Sequence, residues 1–271
     1  PVSLSLAEWL ALTMPFLLYQ IAYGRKLIAR AICLVADIMV FGAILLTQAR
    51  IGLVGALVAH GVFIAVWALR ARRSNPGSSL MATAVLAAYP VMTMAVLAAI
   101  PLVPALRVRV LGGGTQAASN AGRLEQLQMA IPMIAQRPFN GYGAGQAGVQ
   151  LGWVNADGQP SIDSYILTLL LDYGFLGLVA FIAVLAWGIV QGFRAGVLSR
   201  NSEEGYAAVA AVGLCVFAAC QIVLSQEDNV SLVFMMLGII CAARWRQSSI
   251  SFSALKHAPR QAEGASALNG L

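Results

Sequence analysis

The chain carries four glycines within eight residues, Gly141, Gly143, Gly145 and Gly148, in the stretch RPFNGYGAGQAG. Clustered backbone N–H groups in such a turn can cradle an anion, so one reading is a wall of a site for a phosphorylated lipid. The other is a structural turn, with Pro138 and the glycines stopping a helix and letting the backbone bend tightly. Gly143 to Gly148 also fits the string G-x-G-x-x-G, but no strand precedes it and no βαβ unit surrounds it, so a dinucleotide turn is set aside.

A second set of reactive groups lies inside apolar stretches: Glu8, Asp37, His60 and Asp172. A charge in lipid is expensive and is usually paired or functional. With Gly174 marking a broken helix, these four would suit the ion or proton path of a transporter. No inverted repeat accompanies them, and the polar residues concentrate in one long stretch instead. Glu227 and Asp228 form an acidic turn before the last apolar run. The four cysteines, Cys33, Cys215, Cys220 and Cys241, lie in or at the end of apolar runs and read as packing residues, with neither metal spacing nor a disulfide framework.

The elements that must position these groups are membrane helices. Hydrophobic residues fill 59% of 271 positions, charged residues only 10%, and the mean hydropathy is +0.79. A soluble domain carries about 25% charged residues. The apolar residues gather in stretches near the ~20 that a helix needs to cross a bilayer, and in lipid a helix satisfies its own backbone. The fold class is therefore an all-α integral membrane protein of about seven transmembrane helices with one long extracytoplasmic loop. The spans are expected at Leu4 to Tyr23, Ala31 to Gln48, Ile51 to Leu69, Ser79 to Val103, Tyr165 to Phe193, Tyr206 to Leu224 and Val230 to Ala243. The fifth is long enough to be two pieces meeting near Gly174. This divides the chain into 1–103 (four spans), 104–163 (loop), 164–246 (three spans) and 247–271, a Ser-, Ala- and Gly-rich tail expected to be disordered.

Orientation follows from the basic residues. Arg25, Lys26 and Arg30, then Arg70, Arg72 and Arg73, then Arg194 and Arg200, and finally Arg244, Arg246, Lys256 and Arg260 follow alternate spans, and those ends are expected in the cytoplasm. The opposite ends carry Arg50 alone, the Glu227/Asp228 turn and the long stretch from Pro104, whose four arginines are diluted over 60 residues. The loop is thus expected outside and the C-terminus inside. The chain begins at Pro1 with its first span entering from outside, which suggests the C-terminal part of a longer protein. The net charge of +6 sits largely on the cytoplasmic flanks. It reads as topology and contact with anionic lipid, with no nucleic-acid partner.

Within the loop, Leu111 to Asn120 reads as a flexible link. Gly122 to Gln136 then places Leu124, Leu127, Ile131 and Ile134 at helical spacing, which predicts an amphipathic helix lying on the membrane surface, with Pro132 as a kink point.

Three motifs in order carry a resemblance. TQAR at Thr47 to Arg50 resembles the T-x-S-R element of the O-antigen ligase and polymerase family. GRLEQLQMAIPMIAQRPFNGYGAG is similar to its arginine-led loop helix and glycine turn, and IDSYILTLLLDYGFLG at Ile162 to Gly177 to the helix that follows, which ends in an acidic residue near G-x-x-G. Order and membrane side agree, over about Arg25 to Arg246.

The resemblance implies a glycosyltransferase of the bacterial inner membrane that polymerises undecaprenyl-diphosphate-linked repeat units into surface polysaccharide, O-antigen or exopolysaccharide, at the periplasmic face. The alternative branch is a ligase that transfers the glycan to lipid A core. Donor and acceptor glycolipids and the bilayer are the implied partners, with a chain-length regulator or flippase beside them. No cofactor, metal or nucleotide is implied, because the diphosphate leaving group already activates the sugar.

On that resemblance Arg50 and Arg123 hold the diphosphate, since an arginine fork binds phosphate bidentately and stays protonated. A snorkelling Arg50 and a solvated Arg123 are the plainer readings. Asp163 is the base for the acceptor hydroxyl, or a helix N-cap. Arg137, and more weakly Arg109, would bind headgroups. Gly141, Gly143 and Gly145 would line the substrate, with Tyr142 and Tyr165, among the aromatics, stacking on sugars, and Glu227 and Asp228 would share the acidic role. Asp172 falls on the family's acidic position, where a structural pairing is the stronger reading. The ligase branch has H-N-x-x-L where this chain has Ile162 and Asp163, which favours polymerisation. A structural membrane scaffold would leave Arg50, Arg123 and Asp163 without a task.

Overall fold

The computed structural model describes residues 2–47, 49–74, 115–154, 158, 160, 162–198, 204–221 and 229–257, with scattered positions between 80 and 107. Most of the expected fourth span falls outside the described residues, as do Arg109, Glu227 and Asp228. The described helices are α1 (Val2–Tyr23), α2 (Leu27–Leu46), α3 (Arg50–Ser74), α4 (Thr115–Gln136), α5 (Ala147–Leu151), α6 (Tyr165–Leu198), α7 (Gly205–Gln221) and α8 (Val230–His257). No strand occurs among the described residues, and the chain is an all-helical membrane protein. By length and composition α1, α2, α3, α6 and α8 can each cross a bilayer, and α7 is a shorter apolar helix.

The helix α7 is the centre of the bundle. Thirteen of its residues are buried, and α1, α3, α6 and α8 all pack on it. Its closeness to α6 comes from small residues. Gly188, Gly192 and Gly196 recur every fourth residue on α6, and a Cβ at Gly192 would lie 2.7 Å from the Ala207 carbonyl and the Ala211 methyl. Such stripes let helices approach where lipid supplies no hydrophobic drive between them. We expect Gly192→Leu to destabilise the bundle by about 1–3 kcal/mol or more. It should appear as a lower unfolding temperature of the detergent-solubilised protein, while Gly238→Leu, at a site with nothing within 4 Å, leaves it unchanged.

At the periphery, α2 turns Ile28, Ile32, Val35, Ile38 and Met39 outward, as a lipid-facing helix must. One polar bond ties its middle to α3: His60 Nε2 and Asp37 Oδ2 lie 3.2 Å apart.

Two boundaries differ from expectation. The helix α4 starts at Thr115, so much of the expected flexible link is helical, and α8 runs on past Gln247 to His257, where composition predicts disorder. Gln247 anchors this extension, donating through Nε2 to Glu204 Oε2 (2.9 Å) and the Ala195 carbonyl (3.2 Å).

The largest departure from a simple span is in α6. Gly174 has φ 67° and ψ −166°, outside helical space. In a straight helix Tyr165 and Phe181 would be about 24 Å apart, yet their ring centroids are 5.4 Å apart. The helix is therefore an elbow, with a short arm (165–173) folded toward a long arm (175–198). The expected two pieces meeting near Gly174 are these arms. The long arm alone is about 36 Å, enough to span a bilayer.

Candidate functional site

The loop helix α4 has two distinct faces. Leu124, Leu127 and Ile131 are exposed, whereas Gln126 and Ala130 are buried and Met133 and Ile134 pack beside them on Ala147, Leu151, Ile162, Leu167 and Leu171. Three of the four residues of the apolar stripe that announces the helix thus point away from the protein, as an interfacial helix requires, while the fourth, Ile134, turns into the core. Its other face builds a small core with α5 and the short arm of α6.

Asp163 is held at the start of that core by Gln126, one turn along α4 from Arg123. The Asp163 backbone N–H donates to Gln126 Oε1 at 2.9 Å. Arg123 lies one turn before Gln126 on the same helix, and Trp153 covers the adjacent Gly122, where an added Cβ would sit 3.4 Å from the indole. Arg123 Nε and Gln126 Nε2 are both buried without a hydrogen-bond partner. An unsatisfied buried donor costs about 1–3 kcal/mol, and two on neighbouring turns, one of them on a cation, suit an anionic ligand. The helix cap is Ser164, whose Oγ accepts the Leu167 N–H at 3.5 Å. Asp163 is therefore not the residue that caps α6.

The glycine turn does something else. The elbow interrupts the α6 ladder, and residues 138–143 complete it. Tyr142 and Gly143 N–H groups donate to the Leu171 and Asp172 carbonyls (2.7 and 2.9 Å), and the Phe175 N–H donates to the Pro138 carbonyl (2.7 Å). The Asp172 carboxylate accepts from the Gly145 and Ala147 N–H groups, at 2.9 and 2.6 Å. Side chains have no room in this contact, since a Cβ at Gly141 would lie 2.5 Å from Asp172 backbone atoms. Gly141 (φ 61°) also needs the left-handed region. The amides offered as an anion cradle thus close on Asp172 and the broken helix. Arg137 stacks on Tyr142 at 5.1 Å, and Tyr142 Oη donates to the Met133 carbonyl. Arg137, just past the end of α4, lies about 21 Å along the helix direction from Arg123, away from Asp163.

Arg50 begins α3 after a turn in which Thr47 Oγ1 accepts the Ala49 N–H at 3.3 Å. Beside it, the Ile51 carbonyl accepts from Cys220. The next residue, Gln221, lines a cavity shared with Tyr165, which follows Asp163 by two positions. Arg50, Gln221, Tyr165 and Asp163 therefore occupy one end of the bundle. Tyr165 packs edge-on against Phe181 within the elbow. Also at this end, Glu8 is fully buried and accepts from Gln221 Nε2 (3.1 Å) and Asn229 Nδ2 (2.8 Å).

Gln126 and the amide partners of Glu8, Gln221 and Asn229, are the site features that residue types alone do not single out. The signal for Gln126 is its place as the polar residue on the face opposite Leu124, Leu127 and Ile131. Among the described residues no group of three His, Cys, Asp or Glu side chains is placed to hold a metal.

The family model for O-antigen ligase matches residues 35–182, from α2 through the elbow, and includes Arg50, Arg123, Asp163 and Asp172. No curated protein and no solved structure gives a match. With more than half of its 271 residues matched, the chain belongs to the O-antigen ligase family.

Proposed function

We propose that this chain is a membrane glycosyltransferase that joins polyprenyl-diphosphate-linked repeat units into surface polysaccharide at the extracytoplasmic face. The observation that carries the reading is the pair of unpartnered buried donors, Arg123 Nε and Gln126 Nε2, beside Asp163. In the reaction the acceptor hydroxyl oxygen bonds to the anomeric carbon of the donor sugar. Asp163 takes the hydroxyl proton, and the bond from that carbon to the diphosphate breaks. Arg50 and Arg123 hold the departing diphosphate.

Polymerisation is favoured over ligation because Ile162, where the ligase branch resembles a histidine, is packed into the loop core and can accept no proton. A transporter gains no support from the buried acids. Glu8 is bonded to amides at one end of the bundle, Asp37 to His60 between α2 and α3, and Asp172 to the loop.

The test is reconstitution of the full-length protein with lipid-linked repeat units. A ladder of lengthened lipid-linked glycans is expected. Transfer to lipid A core without a ladder would assign ligation, and no transfer of either kind would overturn the reading. Arg123→Lys keeps the charge and removes the fork, and it is expected to lower the rate roughly 10–100-fold, the equivalent of losing one charge-assisted bond. Normal ladders from that variant would remove Arg123 from the site.

A further inference from the structure

The elbow of α6 leaves a cavity of about 220 Å³ between its two arms and α7, lined by Tyr165, Ile166, Phe181, Leu185, Ala218 and Gln221 among others. All but two of these six are apolar, and the polar two stand at the end that carries Asp163 and the Glu8 knot. The lip is open: Ile166 and Ile182 line the cavity and are exposed on a helix long and apolar enough to cross the membrane, so the cavity faces lipid laterally.

We propose that this elbow is the slot for the first isoprene units of the lipid carrier, the polyprenyl chain of a polyprenyl diphosphate. The proposal rests on the transferase reading and adds the seat of the lipid. A dry apolar cavity of about 150 Å³ accommodates a six-carbon ring, so this one accommodates roughly two isoprene units. Their methyl branches can pack on the Tyr165 and Phe181 rings that wall the slot, each contact adding a small dispersion attraction. A chain seated there leaves the cavity beside Tyr165 and Gln221, which brings its diphosphate toward Asp163 and the free donor of Arg123. The Gly174 break creates the slot, because a straight α6 would carry Tyr165 far from Phe181.

The experiment is photolabelling of the full-length protein in nanodiscs by a polyprenyl diphosphate bearing a diazirine on its second isoprene unit, mapped by mass spectrometry. Labels are expected on residues 178–189, 166 and 218, and excess unlabelled polyprenyl diphosphate removes them. Ala218→Phe, which fills the slot, is expected to reduce labelling by at least ~10-fold. Ile182→Trp at the lip gives the same loss if the first variant is unstable. Elbow labelling by a diazirine phospholipid that polyprenyl diphosphate fails to displace would assign the slot to bulk lipid and overturn the proposal. Saturable labelling elsewhere, with glycan ladders still formed, would sink the slot alone. Absence of both saturable labelling and ladders would sink the transferase reading with it.

Discussion

Asp163→Asn is expected to reduce polymer formation by roughly 100- to 10,000-fold, the range that a positioned general base contributes. Its membrane level and thermal stability should stay normal. The expectation is sharp because the structural tasks at this position belong to other groups. The Asp163 backbone N–H, which asparagine retains, holds Gln126, and the helix cap is Ser164. Ser164→Ala is the contrasting variant: it should lose about 0.5–2 kcal/mol of stability and retain most turnover. Initial rates of ladder formation, beside unfolding temperatures of both variants, separate the two roles. A fully active Asn variant would remove Asp163 from the chemistry and turn attention to Glu227 and Asp228.

Asp172→Asn should act by a different route. The carboxylate accepts two short N–H bonds, from Gly145 and Ala147, each worth about 1.5–3 kcal/mol when the acceptor is charged. An asparagine offers one oxygen and turns an N–H₂ group toward a donor. The clasp between turn and elbow should loosen, with protease cleavage between residues 137 and 162 accelerating by about tenfold or more as local opening becomes easier. Activity should fall with it, because the same loop holds Gln126 and Arg123. Gly145→Ala is the mild comparison, since its Cβ meets nothing within 4 Å and only the left-handed backbone is strained. Unchanged proteolysis in Asp172→Asn would mean that the clasp does not hold the loop.

Much of this is legible in the sequence, for definite physical reasons. Hydropathy marks a helix wherever lipid is the solvent, so α1, α2, α3, α6, α7 and α8 can be placed, and Gly174 in an overlong apolar run marks the elbow. The stripe of Leu124, Leu127 and Ile131 marks α4. What stays hidden depends on pairing across distance. Nothing local says that the amides of Gly145 and Ala147 turn to Asp172, or that Gln126 reaches Asp163. The charge on Glu8 reads as a step in a transport path because its amide partners, Gln221 and Asn229, belong to the far end of the chain.

That separation sets the order in which the protein can be completed during synthesis. The gaps in the α6 ladder are filled by residues 138–143, which leave the ribosome before α6 does, so the elbow can close as soon as it is made. Glu8 is in the opposite position. It enters the membrane with the first described helix, and its amide partners arrive only with α7 and the start of α8. A chain arrested before that point carries the Glu8 carboxylate without those amides, at a membrane depth where a charge is expensive. The Glu8 knot is thereby complete only in a chain that has reached the start of α8.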